Sequence, residues 1–362
     1  MRLAAVLLLT LSACAPASAD LNAELEAALG QAGTASGEAG VLVYVEAPGL
    51  ETPFTGSRPA AGGDPIDPAA TLRIASNTKT FVAAAALRLA EQGALDLDAP
   101  INDTLPFHLV ILLEDGGYDV QAITARMLLQ HISGLPDHAQ LEVYFEQIMA
   151  DPQRLWSPEE QVALAMSDGQ RIGAPGERFS YSDTGYVLLG AIIENVHGAP
   201  LADSARALSG MDELGLTATW WEGLELEPDG APERLNQTAF GLALADINPS
   251  MDLYGGGGLV SNLPDLARYH RAAASGALFD APAIAAAMTT PSEQSLAAGS
   301  GYAMGLFTRE FAGETCYEHS GFWGTLAVYC PQSDLTVTAA VTDAGGFSAL
   351  PAFVRAAIEA AR

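Results

Sequence analysis

The hydrophobic period of this chain changes twice along its length, and that change limits the folds open to it. Val41 to Glu46 (VLVYVE) reads as a strand, with residues 50 to 56 as a weaker partner. The strand period returns beyond residue 300, where Tyr302 to Thr308, Thr315 to Ser320, Thr325 to Tyr329 and Leu335 to Val341 are separated by turn residues. From about 95 to 270 the pattern is mostly helical, broken by Gly/Pro turns such as Ala174-Pro175-Gly176. A short amphipathic helix over 21–30 and a final helix over 349–361 flank the strands, and an Ala/Leu-rich helix runs from Phe81 to Gln92. The expectation is an α+β protein of two lobes. A mainly antiparallel sheet would come from about 20–75 and 295–362, flanked by N- and C-terminal helices, and a helical lobe from about 76–294. The cleft between two lobes is the default place for a site.

Composition supplies the core and narrows the partners. Of 362 residues, 49% are apolar and 17% charged, enough for a large folded interior. With 44 acidic against 16 basic residues, the formal charge of -28 repels nucleic acid and anionic headgroups. The first nineteen residues read as an export signal. Leu3 to Leu11 is apolar but far below the roughly 20 residues needed to cross a bilayer. Leu11-Ser12-Ala13-Cys14 resembles a lipobox, which would lipidate Cys14 and anchor the protein to a bacterial membrane. Ala17-Ser18-Ala19 resembles an ordinary cleavage site, which would leave a soluble periplasmic or secreted protein. Both readings export the chain, with 20–362 as a single catalytic domain. The remaining cysteines, Cys316 and Cys330, form an even pair, as an oxidising compartment permits.

The chemistry concentrates at residues 71 to 82, TLRIASNTKTFV. Ser76 and Lys79 stand three apart at a helix start, so their side chains share a face. A helix-capping role accounts for the serine but not for the lysine, because a capping box wants Glu or Gln at that place and a cation there opposes the helix dipole. Lys79 is also the only lysine in the chain. A desolvated lysine can give up its proton near neutral pH, whereas arginine cannot. His131 reads as a turn or supporting residue, and His108, His138, His197 and His270 as structural or surface. The sequence lacks HExxH, paired CxxC and G-x-S-x-G, and Gly255 to Gly258 precede no GK[ST], so neither metal nor other cofactor is expected. Those four glycines instead let backbone lie close to the site.

Ser76-Asn77-Thr78-Lys79 resembles the S-x-x-K element of serine β-lactamases, D,D-peptidases (penicillin-binding proteins) and related esterases. Tyr181-Ser182-Asp183 is similar to the Y-x-N element of the class C branch, and His319-Ser320-Gly321 to its third element. Leu129 to Pro136, Pro175 to Ser180, Thr184 to Gly190 and Gly257 to Ser261 match further, in order, over about 40 to 345. The resemblance implies a β-lactamase/transpeptidase-like fold and an acyl-enzyme on Ser76, with Lys79 and Tyr181 sharing the proton work. The oxyanion would lie between the backbone N–H groups of Ser76 and Phe322. His319 would place a donor or partial positive charge beside the leaving side, with Asp183, Ser320 and Gly321 contacting substrate. Asp183 stands where asparagine is usual, and a carboxylate cannot donate to a substrate carbonyl. Its charge would also raise the Lys79 pKa against burial and the helix terminus. The implied substrate is a small molecule or peptide, a β-lactam or D-Ala-type peptide first and a small ester as the alternative. A non-catalytic cell-envelope binding protein is the rival from another class. A hairpin between Cys316 and Cys330 would place them opposite one another, and a disulfide there would brace the strand carrying His319.

Overall fold

The computed structural model describes residues 18–362. The lipobox cysteine Cys14 lies outside them. Eleven strands are β1 (Val41–Glu46), β2 (Phe54–Arg58), β3 (Leu72–Arg73), β4 (Trp220–Trp221), β5 (Thr238–Ala239), β6 (Leu242–Ala243), β7 (Leu259–Ser261), β8 (Phe307–Phe311), β9 (Glu314–Gly321), β10 (Thr325–Cys330) and β11 (Leu335–Val341). Six of them form one antiparallel sheet in the order β2-β1-β11-β10-β9-β8. The two ends of the chain therefore meet along β1 and β11, where Val41 faces Val341.

Both faces of this sheet are covered, and the period of two sorts its side chains. Val41, Val43 and Val45 pack on Leu25, Leu29 and Phe353 from the terminal helices Ser18–Ala35 and Ala349–Ala360. Leu42 and Tyr44 point the other way, into a larger core shared with helices Thr78–Glu91, Asp183–His197 and Leu263–Ser275. The sheet thus fixes the position of the helical lobe, and the site lies where β9 meets the start of helix Thr78–Glu91.

Several boundaries differ from those expected. The N-terminal helix reaches Ala35 and does not stop at residue 30. Strand β8 begins at Phe307, because Gly305 takes φ 84° and turns the chain; Tyr302 keeps one isolated bridge to Phe307. The middle segment also supplies β4 and β7, which pair with β3 in a three-stranded sheet of order β3-β7-β4, and the β5–β6 hairpin. Cys316 and Cys330 are joined by a disulfide, on the face of the sheet turned to the terminal helices.

Candidate active site

Ser76 sits in a short 3-10 turn, Ala75–Asn77, that leads into helix Thr78–Glu91. Asn77, not Ser76, is the cap of that helix, and its side chain caps nothing. Ala75 holds a left-handed φ of 45° immediately before the serine, a conformation that costs a non-glycine residue roughly 1–3 kcal/mol. The turn is tied down from the sheet: Asn77 Nδ2 donates to Thr325 Oγ1 at 2.8 Å, and Thr325 Oγ1 donates to the Ile74 carbonyl at 3.1 Å. Gly321 is required at this crossing, since any Cβ there would collide with Ile74 O and Thr325 Oγ1. The close approach brings the backbone of Phe322 to the serine.

Lys79 is fully buried beneath Ser76 and is held by three oxygens. Its Nζ donates to Ser76 Oγ at 2.8 Å and to the Gly256 carbonyl at 2.5 Å, and lies 2.5 Å from Asp183 Oδ1. Gly256 is one of the four glycines, so that run does carry backbone into the site. Burial is the largest single influence and would lower the lysine pKa, but Asp183 and then Tyr181 together outweigh it and hold Lys79 well above its ordinary value. Asp183 opens helix Asp183–His197, where a negative charge suits the dipole, and the lysine overcomes the effect of burial to keep its pKa below the usual carboxylate range. The rise expected from the Asp183 charge is thus found, and it prevails over burial: the resting pair is ammonium and carboxylate.

Tyr181 packs against His131 with the rings tilted by 34° and their centroids 4.2 Å apart, and Lys79 Nζ lies 4.9 Å from the Tyr181 ring centre. Burial pushes the phenol up to about 12, while the Lys79 charge and hydrogen bonding to Lys79 and Ser76 pull it down. His131 supports this segment: its Nδ1 accepts from the Ser182 N–H at 3.1 Å and its carbonyl accepts from Ser180 N–H at 2.8 Å.

His319 faces the cleft from β9, paired with Ala327 of β10. Its Nδ1 lies 2.9 Å from the Ser320 carbonyl, which can only accept, so the ring proton is on Nδ1. Burial, with Lys79 nearby, lowers its pKa to about 3. Nε2 is then a buried lone pair without a partner. The expected donor or partial positive charge is replaced by a neutral acceptor.

These groups open onto a cavity of about 330 Å3 lined by Ser76, Tyr181, Asp183, His319, Ser320 and Phe322. Sequence reasoning missed two further carboxylates on its wall, Asp137 and Asp252. Asp137 Oδ1 accepts the Asp183 and Ala139 N–H groups at 3.0 and 3.1 Å, and Asp252 Oδ2 accepts Trp323 Nε1 at 3.0 Å. Burial first, then the charge of Asp183, raises both carboxyls to about 7. The Tyr254-to-Gly258 run beside Asp252 was the available signal for that residue; nothing local marked Asp137. Among the described residues, no arginine or lysine lines the cavity.

A serine, a phenol and a lysine within contact of one another can carry acyl transfer. The Beta-lactamase family model matches residues 25–361. The chain belongs to the Beta-lactamase family. Penicillin-binding protein 4* of Bacillus subtilis is 30% identical over 178 residues, which is 49% of this chain and 35% of that protein. The chain thus spans about a third of that curated relative's length. A D-stereospecific amidohydrolase from Streptomyces sp. superposes with a TM-score of 0.76 at 25% identity, over 93% of this chain and 97% of that one. D-amino acid amidase from Ochrobactrum anthropi, bound to D-phenylalanine, shares the fold with a TM-score of 0.74 at 22% identity, over 95% and 100% of the two chains. The family model spans nearly the whole chain, and these neighbours share its fold.

Proposed function

We propose that this hydrolase cleaves an amide or ester whose acyl part carries a protonated amine and no carboxylate, an amino-acid amide being the simplest case. The observation that carries this reading is the charge of the cleft. Its wall holds Asp137, Asp183 and Asp252, and its nearby cation, Lys79, is already neutralised by Asp183. β-Lactams and D-Ala-terminated peptides present a carboxylate, which here would meet carboxylates and the lone pair of His319 without any donor cation. The likeness to an amidohydrolase at 25% identity agrees in kind.

In this mechanism Ser76 Oγ attacks the carbonyl carbon as the Tyr181 phenolate takes the hydroxyl proton. Lys79 stays an ammonium and stabilises the phenolate. The Ser76 and Phe322 N–H groups hold the oxyanion. The Tyr181 phenol returns its proton to the leaving amine, and water attacks the acyl-enzyme by the reverse proton path. His319 Nε2 accepts an N–H of the substrate. A small ester meets the same requirements with an alkoxide leaving group.

The test is a panel of phenylalaninamide, acetylated D-Ala-D-Ala and benzylpenicillin, followed by ammonia release, dipeptide cleavage and ring opening. Turnover of the amide with little on the other two is expected. Faster turnover of either carboxylate-bearing substrate would contradict the reading.

A further inference from the structure

Three phenylalanines are exposed among the described residues, and two of them stand together at the mouth of the cleft. Phe240 is 61% and Phe322 51% exposed, with ring centroids 5.6 Å apart. Phe145 closes the group from the opposite wall, 6.0 Å from Phe240 and 6.4 Å from Phe322. Phe145 and Phe322 line the catalytic cavity, while Phe240 and Phe322 line an open apolar depression that joins it at Ser320. Ser76 and two of these rings thus line one cavity.

Phe240 is placed there against local preference. It and Gly241 form the two-residue turn of the β5–β6 hairpin, with φ of 55° and 78°. Positive φ at both positions is the type I′ pattern, whose first place asparagine or glycine normally takes. A bulky aromatic residue is unfavourable in that conformation, and breaking a local rule tends to mark function. The hairpin base is anchored firmly: Thr238 N–H donates to the Thr342 carbonyl at 2.7 Å, and Gln237, just before β5, accepts Arg73 N–H at 2.7 Å and donates to the Trp323 carbonyl at 3.3 Å. A pinned base thus presents one exposed ring over the cleft.

We infer that Phe145, Phe240 and Phe322 form a subsite for an aryl-sized apolar group on the substrate. Rings in this spacing offer edge and face contacts to a further ring, and their exposed area is what such a group would cover. The inference rests on acylation of Ser76 and deepens the proposed function by naming an apolar substituent beside the amine.

Phosphonofluoridates test it without requiring the amine. Second-order inactivation constants are measured for a methyl- and a benzyl-substituted reagent on the whole protein and on Phe240→Asn and Phe240→Tyr. Asparagine suits the turn, so Phe240→Asn should melt no lower than wild type. Wild type should prefer the benzyl reagent by about tenfold or more, and Phe240→Asn should lose most of that preference, with the methyl rate within about twofold. Phe240→Tyr should keep the preference. A benzyl-to-methyl ratio that is near one in wild type, or unchanged in Phe240→Asn, overturns the subsite alone. Failure of both reagents to label wild type overturns the acyl-enzyme reading and the subsite with it.

Discussion

Replacing Asp183 by asparagine removes one charge from the ion pair beneath the nucleophile while leaving the side-chain shape almost unchanged. Lys79 is wholly buried, Asp183 is 16% exposed, and the charged atoms are 2.5 Å apart. In the wild type burial lowers the Lys79 pKa, and the carboxylate together with Tyr181 more than reverses it; burial also raises Tyr181, and the Asp183 charge adds to that rise. Loss of the carboxylate lowers both proton carriers, so the ascending limb of kcat/KM should move to lower pH by about one to three units. A neutral substrate such as phenyl acetate isolates this effect from amine recognition. At pH 7 its kcat/KM should rise roughly three- to thirty-fold, because the base is ionised more often but is also weaker. Stability should move the opposite way. Lys79 is raised in the fold, so its contribution is whole below the unfolded lysine pKa and is lost as pH climbs through the folded one. Asp183 is lowered, so its contribution is present above the unfolded aspartate pKa and is lost as pH falls through the folded one. The pair is at full strength across neutral pH, and leaving Lys79 without its partner should cost about 3 kcal/mol there. The deficit should shrink toward pH 9, as the unpaired lysine loses its proton. A folded Asp183→Asn protein whose ascending limb stays in place would refute the electrostatic account.

Four other outcomes follow from the same geometry. Tyr181→Phe should lower kcat by about a hundredfold or more while fluorophosphonate labelling of Ser76 slows in parallel, and Lys79→Arg should also be severely impaired, because the fork of arginine cannot occupy a buried pocket shaped for Nζ. The Asp137 and Asp252 carboxyls sit at about 7, so KM for a cationic amide should fall as pH rises through about 7, whereas KM for a neutral ester should not; equal behaviour of the two substrates would remove these residues from recognition. Cys316→Ser with Cys330→Ser opens a loop with a sequence separation of 14, and should lower stability by about 3 kcal/mol in denaturant titration.

The parts of the fold that declare a long, regular period were legible. Leu335 to Val341 forms a strand over the span expected, and the antiparallel sheet with its terminal helices follows from where strand-like segments lie in the chain. Strands of two or three residues, such as β4 and β7, are too short to leave a period and depend on tertiary pairing. Of the site, the helix-start lysine could be singled out because it violates local charge preference. Its protonation state could not, because that depends on a 2.5 Å approach between residues 104 positions apart. The polarity of His319 was hidden for a similar reason: a single bond to the Ser320 carbonyl assigns its tautomer. Asp137 reaches the site only through the Asp183 N–H, a partner 46 residues away. Phe240 needed the turn itself, since an exposed aromatic ring in a two-residue hairpin is visible only once the pairing of β5 with β6 is known.

The central claim, acyl transfer through Ser76, is tested most directly by trapping the intermediate. The protein is mixed with an excess of a phenylalanine ester, quenched in acid within the first turnovers, digested and mapped by mass spectrometry. A phenylalanyl adduct on the peptide containing Ser76, absent from Ser76→Ala protein of the same thermal stability, is the predicted result. Ester turnover by wild type with no adduct on that peptide, or undiminished turnover by Ser76→Ala, would contradict it.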